Sequence, residues 1–548
     1  MKGDSVELNE SSHFSTAEVA DTETMIEAGE GPSTQYLEGA RLYALTATLC
    51  LCLFLTNLEI PIVSTSLVSI AGELGALEKI YWITTAYMLG YAGVLVLSAK
   101  FSDILGRKTC LLAAVIIFVI FSAACGAAQT MNQLIVFRAL QGLGGAGNYA
   151  ICTIIVVEMV PPEKFAKYTG GVATVFVFSL LFGPLFGGAI TQHSTWRWIF
   201  LLNIPPGVVA AVALLLLLPN GFPHHNLRRK SSSFRESFQK AFRRIDILGS
   251  FLLVAATVLL VTGLDEADEQ FAWRSGFTIA VLTISGVLWI LFVVWERWVT
   301  LNTGTREPVF PWRFFQNRVW MAMLLSVQSS PILTFLFPGP FVRFEIVNQL
   351  SSFDAAVRLI PFTIASPVAS ILAPTIGKAF RIPLIYLLMV GSAIQIVAFV
   401  LLGTVPEQQS IPARQYGYQV LAGFGCGINT PLLTLMTPFA TEKRDHAVAM
   451  GAIAQFRTMG GSIGLAIVTA IQHSYLRSNL RHFLGGDMVE ALLQSTSTLA
   501  KLPIGTQDLV RETYAASYNL QMKILAAMAG VQLLTSMMMW RKDPIVAA

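Results

Sequence analysis

Runs of roughly twenty mostly apolar residues recur along the whole chain, and no other feature restricts its fold as tightly. A segment of that length crosses ~30 Å of hydrocarbon as a helix. There the backbone groups must pair within the segment, so an all-α polytopic membrane protein is expected. The spacing predicts helices over 42–66, 79–101, 109–129, 131–159, 166–190, 197–218, 246–264, 275–297, 318–341, 355–377, 382–404, 413–437, 446–472 and 519–540, or 14 transmembrane helices. Composition agrees, with 54% hydrophobic and 13% charged residues against the roughly 25% charged of a soluble domain. The net charge of +4 is small and points to no nucleic-acid partner.

An even number of spans puts both termini on one side. Lys100, Arg107, Lys108, Lys164, Lys167, Arg228 to Lys230, Arg243, Arg244, Arg306, Arg313, Arg318, Lys378, Arg381, Lys443, Arg444, Arg541 and Lys542 all fall on that side. The opposite loops are short or acidic, as at Asp265, Glu266, Asp268 and Glu269, except the long loop 473–518 with Arg477, Arg481, Lys501 and Arg511, and long loops weigh little in the charge rule. By the positive-inside rule both termini are cytoplasmic. The expected organisation is a disordered cytoplasmic tail over 1–41, a first six-helix half over 42–218, and a basic cytoplasmic linker over 219–245. Two extra helices with their linker follow over 246–317, then a second six-helix half over 318–540 with an extracellular loop at 473–518, and a short tail over 541–548. The tail 1–41 is rich in Ser, Thr, Glu and Asp and does not read as a signal peptide, so the first span serves as its own insertion signal. Phe234, Phe238 and Phe242 in the linker suit either an amphipathic helix on the inner leaflet or a solvated stretch. All six cysteines fall in predicted spans and read as packing residues, not disulfides or metal ligands. No ATP-binding Gly-x4-Gly-Lys-Ser/Thr stretch and no cofactor or metal spacing occurs, so energy must come from an ion gradient or downhill flow.

The segment Leu134 to Ala150 places Arg138 inside an apolar, glycine-rich stretch. A guanidinium in a bilayer costs about 2.5 kcal/mol or more, so it should face a partner or a wet cavity. At helical spacing Arg138, Gln141, Gly142, Gly145 and Tyr149 share a face. Other polar or aromatic residues at mid-membrane depth are candidates to line a substrate cavity: Asn57, Tyr87, Gln141, Asn148, Gln328, Phe335, Gln395, Asn429 and Gln455. Aromatics mixed with a few amides suit bulky amphipathic organic compounds.

Four motifs carry a resemblance. The loop Ala99-Lys-Phe-Ser-Asp103-Ile-Leu-Gly106-Arg107-Lys108 resembles the cytoplasmic signature of the major facilitator superfamily, with Ala99 at its first glycine. Arg138-x-x-Gln141-Gly142-x-Gly144 is similar to the family's fourth-helix pattern. Gly170, Ser179, Gly183, Pro184 and Gly187 resemble its fifth-helix antiporter pattern, with Ser179 at the second glycine. Trp196-Arg-Trp-Ile-Phe and Asn203-Ile-Pro-Pro-Gly207 resemble the fourteen-helix drug:proton antiporter branch, especially fungal toxin and multidrug efflux transporters.

The resemblance implies a major facilitator fold of two six-helix halves plus two linker helices, a transporter and not an enzyme. Its partners would be a small hydrophobic organic substrate, protons and membrane lipids. It would act as a monomer in the plasma membrane, or in a vacuolar or other internal membrane. A latch role falls to Asp103, Gly106, Arg107 and Lys108, and proton coupling to the fourth helix. Glu59, in Leu58-Glu59-Ile60-Pro61, takes the acidic position of the branch's first-helix pattern. Glu59 and Arg138 each lie seven residues from an outer helix end, about 10 Å deep at 1.5 Å per residue, so the two can pair. Arg457, beside Gly460, Gly461 and Gly464, is expected to orient the thirteenth helix. Export of drugs, toxins or secondary metabolites by proton antiport is the expected function. Alternatives are proton-coupled uptake of an iron-chelate or nutrient and a non-transporting membrane sensor.

Overall fold

The computed structural model describes residues 36–75, 79–80, 82–223, 244–267, 271–302, 306–331, 340, 343–407, 409–494, 499 and 502–546. Most of the stretch read as a disordered tail, Phe234 to Phe242 of the linker, and Phe335 lie outside them. Among the described residues the fold is all-helical, with three isolated β-bridges and no strand. Twelve of its helices are long and apolar enough to cross a membrane.

The first half comprises α1 (Gly39–Ser64), the short α2 (Leu67–Glu73), α3 (Trp82–Leu105), α4 (Arg107–Ala127), α5 (Met131–Glu158), α6 (Phe165–His193), the short α7 (Arg197–Leu201) and α8 (Ile204–Leu217). A hairpin of α9 (Ile247–Asp265) and α10 (Gly276–Asn302) follows. The second half holds the short α11 (Arg313–Gln316), α12 (Arg318–Gln328), the short α13 (Ser352–Val357), α14 (Ile360–Ala379), α15 (Leu384–Leu402), α16 (Arg414–Ala440), α17 (His446–Leu480), α18 (Gly486–Gln494) and α19 (Ile504–Met538).

Packing repeats between the halves. In the first, α5 packs on α3 and α4, α6 on α1, and α8 on α4 and α1; in the second, α16 packs on α14 and α15, α17 on α12, and α19 on α15 and α12. The same partners at the same ordinal positions are the signature of two repeats of one bundle. The halves meet along α6 with α14 and α3 with α17, and α9 leans on α3 and α17.

Which surface a helix gives to lipid can be read from its buried stripe. On α10 only Thr278, Ser285, Phe292, Glu296 and Val299 are buried, one line at helical spacing. Ile279, Ile290 and Val294 stand exposed on the rest, as in a helix whose outer face is solvated by acyl chains.

The expected loop at 473–518 is corrected by the structure. Helix α17 runs on to Leu480, α18 occupies Gly486–Gln494, and α19 begins at Ile504. Helices α17 and α19, of 35 residues each, are about 50 Å long at roughly 1.5 Å per residue. Counting apolar runs finds only the part of such a helix that oil selects. The remainder is amphipathic, and Leu476, Leu480, Val489, Leu492, Val510 and Tyr514 close into a separate apolar cluster outside the main bundle. Leu480→Ala, which hollows this fully buried site, is expected to cost about 2–5 kcal/mol and to open residues 473–518 to protease in the detergent-solubilised protein. Unaltered proteolysis would show that the cluster does not hold the extension.

Candidate functional site

The structure brings Glu59 and Arg138 together. Arg138 Nη1 donates to Glu59 Oε1 at 2.5 Å and to Gln141 Oε1 at 2.8 Å, and Arg138 Nε donates to the Ile83 carbonyl at 3.0 Å. The second oxygen, Glu59 Oε2, accepts from Asn203 Nδ2 at 2.7 Å. Gln141 Nε2 passes the network on to Ser122 Oγ at 2.7 Å. Both charged side chains have no solvent exposure. The guanidinium carbon lies 4.4 Å from the Tyr87 ring centroid and 5.5 Å from that of Phe200.

Local sequence explains each contributor. The chain breaks between α7 and α8, and α8 restarts with Pro205 and Pro206 in its first turn, where missing N–H groups cost nothing. That break leaves Asn203 free of capping duty, and its amide goes to Glu59. Helices α3 and α5 approach backbone to backbone: a Cβ on Gly142 would sit 2.3 Å from the Tyr87 carbonyl oxygen, and one on Gly90 2.2 Å from that of Ala139. Only glycine permits that distance, and it brings the Tyr87 ring over Arg138. The Tyr87 hydroxyl donates to the Thr56 carbonyl at 3.2 Å.

The antiporter-pattern glycines form a second seam, between α6 and α1. A Cβ on Gly183 would strike Pro61 Cγ at 2.5 Å, and one on Gly187 would strike Thr65 Oγ1 at 2.2 Å and the Ile62 carbonyl at 2.4 Å. Pro184 is inside the helix beside this notch, so the proline bump of α1 seats in a glycine hollow of α6. Ser179, at the pattern's missing glycine, is buried and donates across to the Phe54 carbonyl at 3.2 Å. Gly170 faces the other half, 3.0 Å by its Cβ position from the Ser370 carbonyl.

At the lysine- and arginine-rich end, Gly106 turns the chain between α3 and α4 at φ +101°, a conformation glycine adopts freely. Arg107 then lies between Asp103, which it meets directly, and Glu158, at 2.7 and 3.0 Å, with Ser102 Oγ at 2.7 Å. Glu158, at the end of α5, went unread in the sequence; it is an acid one helix away with no motif around it. Lys108 Nζ donates to the Leu215 carbonyl at 2.8 Å on the exposed rim. Lys100 instead binds Glu307 at 2.6 Å, where Arg244 also converges. A matching acid–base contact joins Arg313 to Asp445 in the second half. Ala99, at the signature's first glycine, is fully buried against Gly451 of α17, whose Cβ would come within 2.8 Å of the Ala99 Cβ. The glycine needed for close approach sits on the partner helix.

The cavity candidates divide by burial. Asn57 and Gln328 are half-buried, while Tyr87, Gln141, Asn148, Gln395, Asn429 and Gln455 are buried between helices in this conformation. Asn148 Nδ2 binds Thr56 Oγ1 at 2.7 Å; Asn429 Nδ2 binds Ser392 Oγ at 3.0 Å and Gln532 Oε1 at 3.2 Å. Gln455 ties three helices, donating to Thr257 Oγ1 of α9 at 3.0 Å and accepting from the Val96 N–H of α3 at 3.2 Å. Arg457 reaches from α17 to the Tyr149 hydroxyl of α5, and its guanidinium lies 5.5 Å from that ring and 5.8 Å from Phe176. Tyr149 thus carries the seam of α5 from an interior charge pair to the meeting of the halves.

An apolar helical bundle built from two repeats, with a carboxylate and a guanidinium sealed inside one of them, defines a multi-pass membrane transporter. The chain belongs to the Major Facilitator Superfamily, whose profile matches residues 49–465. It is 38% identical over 93% of its length to the MFS-type transporter FPY5 of Fusarium mangiferae, covering 85% of that protein. It is 31% identical to efflux pump FUS6 of Gibberella fujikuroi, over 80% of this chain and 76% of that one. Among solved structures it shares its fold with the proton:xylose symporter XylE at a TM-score of 0.56 and 13% identity, over 90% and 95% of the two chains.

Removing one partner of a buried, hydrogen-bonded ion pair strands the other charge, a loss of about 3–5 kcal/mol. Arg138→Ala is therefore expected to lower the melting temperature sharply. The double variant Glu59→Gln/Arg138→Gln, uncharged and still able to hydrogen-bond, should recover most of that loss. Equal destabilisation by Arg138→Ala and by the double variant would show that the two charges are not coupled.

Proposed function

We propose that this transporter exports hydrophobic organic compounds in exchange for protons, with Glu59 as the carboxylate that binds and releases the proton. The observation that carries the reading is the sealed Glu59–Arg138 pair, because a carboxylate enclosed in apolar helices beside one movable base can change its charge only when helices rearrange. The glycine seam between α1 and α6, and a relative named as an efflux pump, support the outward direction.

On this reading the described α12 and α17 join the twelve apolar helices as spans, giving fourteen with both termini in the cytoplasm. The reading keeps a half over 42–218, a cytoplasmic linker over 219–245, the α9–α10 hairpin within 246–317, and a half over 318–540. The cytoplasmic end is shut in the present conformation, where Gly451 meets Ala99, Gly170 meets Ser370, and Lys378 Nζ donates to the Glu163 carbonyl at 2.5 Å. Arg107, held by Asp103 and Glu158, keeps α3, α4 and α5 registered at that end while it is shut, with Gly106 making the turn and Lys108 at the headgroups.

A proton arriving at Glu59 cancels the charge that Arg138 and Asn203 hold. The link from α1 to α5 and to the α7–α8 break then weakens. Substrate binds between the halves near the half-buried Asn57 and Gln328, where Arg457, Tyr149 and Phe176 already meet. The other amide candidates, together with Gly170, Gly183, Pro184 and Gly187, shape the walls from behind. The transporter works as a monomer in the plasma membrane.

In proteoliposomes holding a panel of fluorescent hydrophobic compounds, an imposed proton gradient should drive substrate against the proton flow. Glu59→Gln should lose at least about tenfold of that driven flux, the scale of one missing charged partner, while still exchanging substrate without a gradient. Gradient-driven extrusion by Glu59→Gln would remove that residue from the mechanism, and substrate moving with the protons would reverse the direction.

A further inference from the structure

The two halves repeat their packing, and each buries polar side chains on its first, fourth and sixth helices, but with a different charge balance. In the first half the cluster draws on the first, fourth and sixth helices, through Glu59, Arg138 with Gln141, and Asn203, and acid and base cancel. In the second half the corresponding elements supply Arg343, in a π-helical turn over Arg343–Val347 beyond α12, Gln415 and Gln419 from α16, and Tyr518 from α19. All four are at most 3% exposed.

This second cluster is incomplete. Arg343 Nη2 donates to the Pro406 carbonyl at 2.7 Å, and its guanidinium lies 4.9 Å from the Tyr518 ring. Arg343 Nε and Nη1, both polar atoms of each of Gln415 and Gln419, and the Tyr518 hydroxyl are buried without a partner. The preceding stretch, 332–342, contains no Asp or Glu that could neutralise the charge. Glu407, beyond Pro406, is exposed and forms no ion pair with Arg343 among the described residues. Gln415 and Gln419 are one turn apart on the face of α16 that continues through Ala422 and Cys426 into the same apolar cluster as Tyr518. The Arg343 guanidinium lies against the Tyr518 ring with donors to spare, and the amides of Gln415 and Gln419 on the fourth helix of this half are likewise unpartnered; such donors suit one acceptor of negative charge.

We propose that Arg343, with Gln415, Gln419 and Tyr518, forms an anion site in the second half, whereas the first half carries its own carboxylate. The anion is either a small inorganic ion or the carboxylate of an organic acid; both present compact negative charge to the same donors. The site does not depend on the direction or energy source of transport, so it stands apart from the export reading.

The test is the melting temperature of the purified protein in detergent, titrated with sodium chloride or with sodium benzoate at constant ionic strength against sodium isethionate, a weakly accepting sulfonate that carries no carboxylate. A saturable rise is expected with the wild-type protein. Saturation by chloride identifies an inorganic anion, and tighter saturation by benzoate identifies an organic carboxylate. Arg343→Gln should abolish the rise and Arg343→Lys should keep part of it. Should Arg343→Gln not fold, Gln419→Leu and Tyr518→Phe serve instead, each raising the half-saturating concentration by about tenfold, as one lost hydrogen bond to an anion does. No rise with either anion, or a rise unchanged in these variants, overturns the proposal.

Discussion

A carboxylate and a guanidinium with no solvent exposure in this conformation set the terms for the first half of this protein. Moving either ion alone into a dry interior costs on the order of 20 kcal/mol in the Born limit, and mutual attraction offsets this only when the remaining donors and acceptors are filled. Glu59 and Arg138 largely meet that condition: Asn203 fills the second carboxylate oxygen, Gln141 and the Ile83 carbonyl take Nη1 and Nε, and Tyr87 lies against the guanidinium face, with Arg138 Nη2 alone left without a hydrogen-bond partner. Three local oddities of the sequence then have one cause. The glycines of α5 and α3 allow backbone contact that delivers Tyr87, the double proline restarts α8 so that Asn203 can turn inward, and Ser122 terminates the chain of amides.

Helix α5 relays this interior charge to the rest of the molecule. Its 28 residues carry Arg138 in the third turn, Tyr149 past the middle and Glu158 at the far end, and each faces a different partner: Glu59 on α1, Arg457 on α17, and Arg107 on α4. A helix is stiff along its axis, so three contacts on one rod cannot adjust independently. On the export reading, that rod is how a proton taken up inside one half is felt where the halves meet and where the cytoplasmic end is shut.

Much of this was legible in the sequence because oil imposes strict rules. Apolar length placed the helices, an arginine in an apolar run marked the interior pair, and depth counting put Glu59 at its level. Legibility failed where the governing contact was remote or wet. Nothing near Glu158 or Gly451 announces their roles, since their partners, Arg107 and Ala99, are far off in the chain. Residues 473–518 looked like a loop because amphipathic helical segments do not need apolar runs. They need only one apolar stripe, and here it is closed by a small cluster of their own. The amides expected on a cavity wall mostly serve as interhelical hydrogen bonds, because a lone amide in an apolar helix looks the same in either role.

On the export reading, the conformation points to the element that would move first. With the basic end shut and Glu59 wholly enclosed, no route for a proton exists until some wall of the cluster opens. The α1–α6 wall is a proline seated in a glycine hollow, and the α3–α5 wall is backbone against backbone; both are tight contacts with little to give. The remaining wall is the α7–α8 junction, where Leu202 and Asn203 keep helical dihedrals but the regular helix is interrupted, and where Pro205 and Pro206 supply no N–H to the turn that follows. It is the softest boundary of the cluster, and the residue standing in it, Asn203, already holds the carboxylate oxygen that Arg138 does not. If Glu59 exchanges a proton as proposed, opening at Asn203 would expose Glu59 Oε2 while Arg138 keeps its grip on Oε1.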